Sequence, residues 1–292
     1  MYKITNNLSL EIKPWNCKIC TFLNTEHYYK CSVCGNESDF FSIVNKGKKY
    51  KDYNKKSRVR RHFKTTSKVL LPVLSCYSYK QFISNIKKLY PLYQEKMING
   101  VWLLTNNTNS NTIEKVIIWV RKNFSDLWIG VNLIGENIIT ILEFINKNRP
   151  DGIWNDRSSV NDEKYQNVPN IMIDQIKRLK WSGLYFGGIL FKYVDVQGDK
   201  KNIVKKSSKY MDVLTTSGIG TGIPIEKKKL EFIYKTKHKN LPVAVASGIT
   251  PENISDIIQY CNIFIVRSSI VDSNNNVSIS KLFKLINAIK NN

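Results

Sequence analysis

The chain has 292 residues, of which 45 are Lys or Arg and 23 are Asp or Glu, so its formal net charge is +22 at pH 7. Apolar residues make up 42% of it, which is enough for a sizeable core, and the length favours about two domains. No apolar run approaches the roughly 20 residues of a membrane-spanning helix, and residues 1–16 lack the apolar segment of a signal peptide. We therefore expect an intracellular protein, cytoplasmic or nuclear, without a membrane partner.

Four cysteines come first along the chain, in the spacing Cys-x2-Cys-x10-Cys-x2-Cys. Two such pairs of thiolates fit the tetrahedral coordination of one Zn²⁺, with Zn–S distances of about 2.3 Å. The alternatives are short disulfides or a redox Cys-x-x-Cys motif. We expect a single structural zinc with no open coordination position for catalysis, bound by Cys17, Cys20, Cys31 and Cys34.

Trp15 and Asn24 stand at fixed spacings from these cysteines, and with them residues 13–36 resemble the RanBP2-type zinc finger. We place this domain at residues 11–40. The ubiquitin-binding Npl4-type subset of the family carries Thr-Phe after the second cysteine and an apolar residue between the last two. This chain has Thr21, Phe22 and Val33 at those positions, so the resemblance implies ubiquitin, or a ubiquitinated protein, as a partner.

Single-stranded RNA is an alternative partner for the finger. The RNA-binding members of the family place an arginine pair before the third cysteine, where this chain has Tyr29 and Lys30. Phe22 and Tyr28 could nevertheless stack on bases. A purely structural finger is the third alternative.

A strongly basic segment follows the finger. Residues 46–64 hold ten Lys or Arg and one acid, Asp52. Such a run repels itself and lacks apolar periodicity, so we predict a flexible linker at residues 41–67. The same composition is typical of a nucleic-acid contact or a nuclear-import signal.

From Lys68 onward, a short apolar run followed by a helical pattern recurs eight times. Strands that are apolar throughout and alternate with helices indicate a parallel sheet covered on both faces. We therefore predict an α/β fold, a (β/α)8 TIM barrel at residues 68–292, with a doubly wound open sheet as the alternative. The predicted strands are 69–76, 100–105, 128–133, 152–155, 184–191, 213–216, 242–246 and 263–266. The predicted helices are 79–89, 112–124, 138–148, 171–181, 200–210, 226–235, 251–260 and 280–289.

Active sites of such barrels lie at the carboxyl ends of the strands. Asp156 and Lys192 follow the fourth and fifth strands and form a candidate acid–base or Schiff-base pair. An ordinary ion pair at the rim is the alternative. Further polar residues at these ends are Ser75, Asn106, Asn132, Asn155, Thr216, Ser217 and Arg267.

Glycine and hydroxyl residues cluster after the last three strands. Glycine lets backbone N–H groups approach an anion closely, so these loops predict a phosphate site, although the glycines could serve only as turns. The candidate residues are Gly218, Gly220, Thr221, Gly222, Ser247, Gly248, Ser268 and Ser269.

The segments 218–222, 246–254 and 266–270 resemble the last three strand-loop units of phosphoribosylanthranilate isomerase and of the related BtpA proteins. The resemblance implies a ribulose-phosphate-type barrel that holds a phosphorylated ribose or nucleotide. It also implies Cys76 as general base. Thr216 stands where the isomerase has its acidic residue, and its hydroxyl cannot replace that acid at neutral pH.

We therefore expect a zinc finger that binds ubiquitin, joined to a barrel that binds a phosphorylated ligand and is isomerase- or lyase-like. The alternatives are a non-catalytic scaffold and an RNA-binding protein that uses the finger and the basic segment together.

Overall fold

A computed structural model describes residues 55–65, 68–160, 168–194 and 198–292, preceded by the backbone of four short strands. These strands form two antiparallel pairs. They are β1 (Tyr2–Ile4) with β2 (Leu10–Ile12), and β3 (Trp15–Asn16) with β4 (Leu23–Asn24). The four cysteines of the predicted finger, and Thr21, Phe22 and Val33, lie outside the described residues.

Eight parallel strands close into a barrel in the order β10-β11-β12-β5-β6-β7-β8-β9. The strands are β5 (Val69–Leu74), β6 (Val101–Leu104), β7 (Ile129–Asn132), β8 (Gly152–Asn155), β9 (Leu184–Gly188), β10 (Val213–Thr216), β11 (Val243–Ala246) and β12 (Ile263–Val266). Closure is made where Ile263 of β12 pairs with Val69 of β5. The predicted α/β barrel is confirmed, and the open sheet is excluded.

Within the described residues, a helix follows each barrel strand. These helices are α2 (Tyr79–Gln94), α3 (Ser110–Asn123), α4 (Ile138–Asn148), α5 (Val168–Arg178), α6 (Lys200–Ser207), α7 (Lys227–Thr236), α8 (Ile254–Ile257) and α9 (Ile279–Lys290). α2 continues past Pro91, where the pattern predicted an earlier end. α8 is shorter than predicted and passes directly into a 3₁₀ turn, Ile258–Tyr260.

Aromatic side chains fill the barrel interior. Trp102 on β6 lies in edge-to-face contact with Trp128 and with Phe186 of β9, at centroid distances of 5.2 and 4.9 Å. Neighbouring strands make room with glycine: a Cβ at Gly130 would lie 2.4 Å from the Trp102 ring, and one at Gly152 would lie 2.6 Å from the Trp128 ring. Large and small residues therefore alternate across the interior, as dense packing requires.

A further helix, α1 (Lys55–Phe63), covers the amino-terminal end of the barrel. Val59 and Phe63 are buried, and the Phe63 ring lies 4.9 Å from that of Trp128. Arg58 pairs with Asp212, N–O 2.7 Å, and donates to the carbonyl oxygens of Ser182 and Gly183.

α1 lies inside residues 41–67, where we predicted a linker, so for residues 55–63 the structure differs from that prediction. The physical reason is that the helix is stabilised by groups far away in sequence. Its charges meet a carboxylate and carbonyl groups of the barrel, and its two apolar residues, one helical turn apart, enter the barrel interior.

None of the helices in the described ranges has the length and apolar character needed to cross a bilayer.

Candidate functional site

A cavity of about 260 Å³ opens at the carboxyl ends of the barrel strands, and we call it the mouth cavity. It collects polar residues from the carboxyl ends of all eight strands and the loops that follow them. Its lining comprises Val73, Ser75, Leu104, Asn106, Asn132, Ile134, Trp154, Asp156, Lys192, Tyr193, Thr221, Ala246, Ser247, Ile265, Arg267 and Ser268. The structure thus brings together Asp156 and Lys192 with three of the residues predicted for phosphate.

Asp156 follows β8 and is the one carboxylate in the mouth cavity lining. The amide of Asn132, itself buried, donates to its Oδ1 at 3.1 Å. Burial raises the pKa of Asp156, while the Asn132 hydrogen bond and the charge of Lys192 act in the opposite direction. Gly188 permits this placement, because a Cβ there would lie 1.9 Å from the Asp156 carbonyl oxygen.

Lys192 follows β9 and reaches the next loop, where its Nζ donates to Oγ1 of Thr221 at 3.1 Å. Its backbone is held by Oγ of Ser217, which accepts from Lys192 N at 2.9 Å. Burial lowers the pKa of Lys192, and the charge of Asp156 partly offsets this. A partly desolvated ammonium and a carboxylate of raised pKa are a combination suited to proton transfer.

Tyr193 was not among the predicted site residues. Its backbone is left-handed, with φ 59°, and its hydroxyl accepts a hydrogen bond from Thr221 N at 3.1 Å. That bond is the main reason why the pKa of Tyr193 is lowered. The side chain is 79% exposed, so no apolar pattern in the sequence pointed to it.

The loops after β10 and β11 are joined through Ser247. Its Oγ accepts from Gly222 N at 3.0 Å and donates to the Gly220 carbonyl oxygen at 2.9 Å. Ser247 adopts φ 119°, a conformation that L residues rarely take. Strained backbone of this kind is concentrated at functional sites, where the surrounding contacts maintain it.

Two of the predicted phosphate glycines have a packing role instead of lining the mouth cavity. A Cβ at Gly218 would lie 2.3 Å from the Ile223 carbonyl oxygen, and one at Gly248 would lie 2.3 Å from Pro224 N. Gly248 also has φ 62°. Both positions therefore require glycine, because the segment around Ile223 folds directly over them.

Arg267 and Ser268 close the mouth cavity at the end of β12, where a 3₁₀ turn, Ser268–Ile270, begins. One guanidinium nitrogen of Arg267 donates to Asn275, while its Nε is buried without a partner in the structure. The Ser268 hydroxyl faces Gly222, since a Cβ at that glycine would lie 3.7 Å from Ser268 Oγ. Ser269 lies outside the lining, and its buried Oγ has no partner.

Cys76 does not reach the mouth cavity. Just beyond the end of β5, Ser75 lines the cavity, whereas Cys76 packs in the layer between sheet and helices. There it is fully buried beside Asn85, and burial raises its pKa to about 12. Its burial away from the mouth cavity argues against the role of general base that the resemblance implied.

Comparison with known proteins bears on the barrel. No protein-family model matches the sequence, and no curated protein matches it significantly. The tryptophan synthase alpha chain from Legionella pneumophila has a TM-score of 0.55 over 82% of this chain and 97% of its own, at 12% identity.

Two further barrels give similar values. N-(5'-phosphoribosyl)anthranilate isomerase from Pyrococcus furiosus has a TM-score of 0.52 over 77% of this chain and 100% of its own, at 12% identity. Orotidine 5'-phosphate decarboxylase from Pyrococcus horikoshii has 0.55 over 76% and 99%, at 10% identity. At such identities the likeness shows the fold alone.

The finger segment is described only through its short strands. β3 and β4 flank the positions of Cys17 and Cys20, and the two motif residues Trp15 and Asn24 lie opposite each other in their pairing. Elsewhere, the described residues contain no group of three or more His, Cys, Asp or Glu side chains that could hold a metal ion.

Proposed function

We propose that the mouth cavity binds a phosphorylated ribose or nucleotide, with the phosphate held between Lys192 and Arg267. The observation that carries this proposal is the convergence of these two cations with the hydroxyls of Thr221, Ser247 and Ser268 in one cavity. Charge-assisted hydrogen bonds from such a set suit a phosphate dianion. The likeness to an isomerase and a decarboxylase named for phosphorylated compounds supports the same substrate class.

The backbone of the cavity agrees with this ligand. Thr221 N and Gly222 N are occupied by the hydroxyls of Tyr193 and Ser247, which are neutral partners. A phosphate oxygen is a stronger acceptor than either hydroxyl. An incoming phosphate would therefore exchange partners with Tyr193 and Ser247 and tie the β10 and β11 loops to the ligand.

We further propose that Asp156 transfers a proton during an isomerase- or lyase-type reaction, with Lys192 stabilising the negative charge that develops. Burial favours the protonated form of Asp156 and the neutral form of Lys192, so each lies closer to the balance that general acid–base catalysis needs. A scaffold without chemistry would share the phosphate site and lack this step.

Ligand binding is tested by thermal shift with inorganic phosphate, ribose 5-phosphate and ribose. We expect inorganic phosphate and ribose 5-phosphate, and not ribose, to stabilise the protein. Ser268→Asp places a negative charge at the exposed rim of the site and should abolish the shift. Ser125→Asp, at an exposed position between α3 and β7, is the matched control. Equal shifts in both variants would show that the phosphate lies elsewhere.

Catalysis is tested by deuterium incorporation from D2O into ribose and ribulose 5-phosphates, followed by NMR. Asp156→Asn should bind phosphate at least as tightly as the wild type, because a negative charge near Lys192 is removed, and should lose exchange by about a hundredfold or more, the usual contribution of general acid–base catalysis. Exchange at the wild-type rate in Asp156→Asn would exclude the proposed role. Binding without any exchange would favour the scaffold.

For the amino-terminal segment we propose a Zn²⁺ site made by Cys17, Cys20, Cys31 and Cys34. Four thiolates in two Cys-x2-Cys pairs suit tetrahedral zinc, and the antiparallel pairing of β3 with β4 brings the residues on either side of the first pair together. Metal analysis of the full chain should give one zinc per molecule. A Cys31→Ser variant that retains a full equivalent would refute the ligand set.

Thr21, Phe22 and Val33 are proposed as the ubiquitin contact, on the strength of the sequence motif. The zinc would then hold the two knuckles in place so that an apolar patch faces the partner. Titration of the full chain with ubiquitin should show binding that Phe22→Ala weakens and Tyr28→Ala does not. Loss of an RNA ligand in both variants, without ubiquitin binding, would favour the RNA alternative.

A further inference from the structure

The barrel has a second and larger cavity, of about 580 Å³, at the end opposite to the mouth cavity. It opens beside α1, where β5, β6 and β12 begin, and we call it the floor cavity. Its lining comprises fourteen residues, among them Lys56, Arg60, Lys68, Lys96 and Lys290.

Five of these residues are cations, and no lining side chain is acidic. The ion pairs between described residues involve none of the five. Elsewhere on the same barrel, Arg58, Arg121 and Lys147 each have a carboxylate within 2.7 Å. The floor cavity is therefore a concentration of positive charge that the described part of the protein leaves without ion-paired carboxylates.

Lys68 shows that these charges influence one another. Its Nζ donates to the carbonyl oxygens of Ile258 and Cys261. Burial is the main reason why the pKa of Lys68 is lowered; Cys261 acts in the opposite direction, and the charge of Lys56 adds to the lowering. Like charges in a partly desolvated site repel each other, and a bound anion would relieve that repulsion.

The cations also come from separate elements, so the fold fixes their spacing. Arg60 stands on α1, Lys96 on the turn before β6, and Lys290 at the end of α9. All three side chains are exposed. The remaining lining consists of aliphatic, amide, hydroxyl and thioether side chains and holds no aromatic ring on which a base could stack.

We propose that the floor cavity is a binding site for the phosphate backbone of single-stranded nucleic acid. Five cations exceed what one phosphate can pair with, which favours a chain of phosphates over a single small anion. A recessed cavity admits one strand more readily than a duplex. Because the cations would bind the phosphate backbone, which is the same in every sequence, binding should depend little on base sequence.

The test measures fluorescence anisotropy of a labelled oligouridylate of about 12 nucleotides, a length within the usual range of single-strand sites. The full chain is compared with the triple variant Arg60→Glu, Lys96→Glu, Lys290→Glu. A control triple, Lys115→Glu, Lys201→Glu, Lys209→Glu, makes the same change in net charge at exposed positions outside the cavity. A milder triple with Gln at the three floor positions is used if charge reversal prevents folding.

We expect the floor triple to lose affinity by roughly tenfold or more and the control triple to change little. The slope of log K against log salt concentration should become shallower by about 2, because each of the three lost phosphate contacts contributes roughly 0.7 to that slope. An oligoadenylate and a single-stranded DNA should behave like the oligouridylate.

Three results would overturn the proposal. The wild-type protein could fail to bind any of the oligonucleotides, or both triples could weaken binding equally, which would reduce the effect to net charge. Binding of inorganic polyphosphate without binding of oligonucleotides would identify the wrong ligand class. Ser268→Asp should leave oligonucleotide binding unchanged, which separates this site from the mouth cavity.

Discussion

Replacement of Phe63 by Ala tests whether α1 is part of the folded barrel. The side chain is 7% exposed and lies against the Trp128 ring at a centroid distance of 4.9 Å. Buried Phe→Ala changes cost about 3 to 5 kcal/mol of unfolding free energy. Because Phe63 sits at the end of the barrel, where the structure can partly close around the gap, we expect about 3 kcal/mol, the lower end of that range.

Urea denaturation followed by tryptophan fluorescence and circular dichroism measures this change. For a domain of this size the loss corresponds to a fall in Tm of roughly 6 to 12 °C. Arg61→Ala, at an exposed position of the same helix, is the control and should stay within about 0.5 kcal/mol of wild type. If Phe63→Ala changes the free energy of unfolding no more than Arg61→Ala does, α1 is not packed against the barrel. The prediction of a flexible linker at residues 41–67 would then stand.

Three further predictions concern single residues. Burial raises the pKa of the Asp156 carboxyl in the folded protein above about 3.9, the ordinary value of an exposed Asp. As the pH rises through that value, this carboxyl ionises first in the unfolded chain, so the free energy of unfolding falls. Asp156→Asn removes this penalty; its Tm should exceed that of wild type at pH 7 and match it near pH 3, and a lower Tm at pH 7 would contradict this. Burial raises the pKa of Cys76 and Cys261 to about 12, so iodoacetamide at pH 8 should modify neither before unfolding, as peptide mass spectrometry can show. Alkylation of Cys76 in the native protein would argue against its placement. Gly130→Ala would bring a Cβ within 2.4 Å of the Trp102 ring and should cost roughly 1 to 3 kcal/mol in urea denaturation, so an unchanged midpoint would be inconsistent with this packing.

The barrel could be predicted because its strands and helices carry their information locally. Each strand is a short apolar run, and each is followed by an amphipathic segment, so the type and approximate position of each element follow from the local hydrophobic pattern. α1 could not be predicted in this way. Its sequence is dominated by charge, and what stabilises it, Asp212 and the carbonyl groups of Ser182 and Gly183, lies more than 100 residues away.

The candidate site was predictable in part. To predict polar site residues at the strand ends, it was enough to know that the active sites of such barrels lie at the carboxyl ends of the strands. The mouth cavity does contain Asp156 and Lys192. To predict the face on which a residue lies, the exact end of the strand must be known. β5 ends at Leu74, and a difference of one position places Ser75 at the cavity and Cys76 behind it. The contact of Tyr193 depends on a left-handed backbone that sequence patterns do not encode.

The aromatic side chains along the barrel axis keep its two ends apart. Trp102, Trp128 and Phe186 occupy the interior between the mouth cavity and α1, in a region of low polarity. A ligand at one end therefore has no passage to the other, and an effect transmitted between them would have to displace packed rings. Such insulation leaves each end free to change its chemistry during evolution without disturbing the other, as long as the tryptophans and their facing glycines are retained.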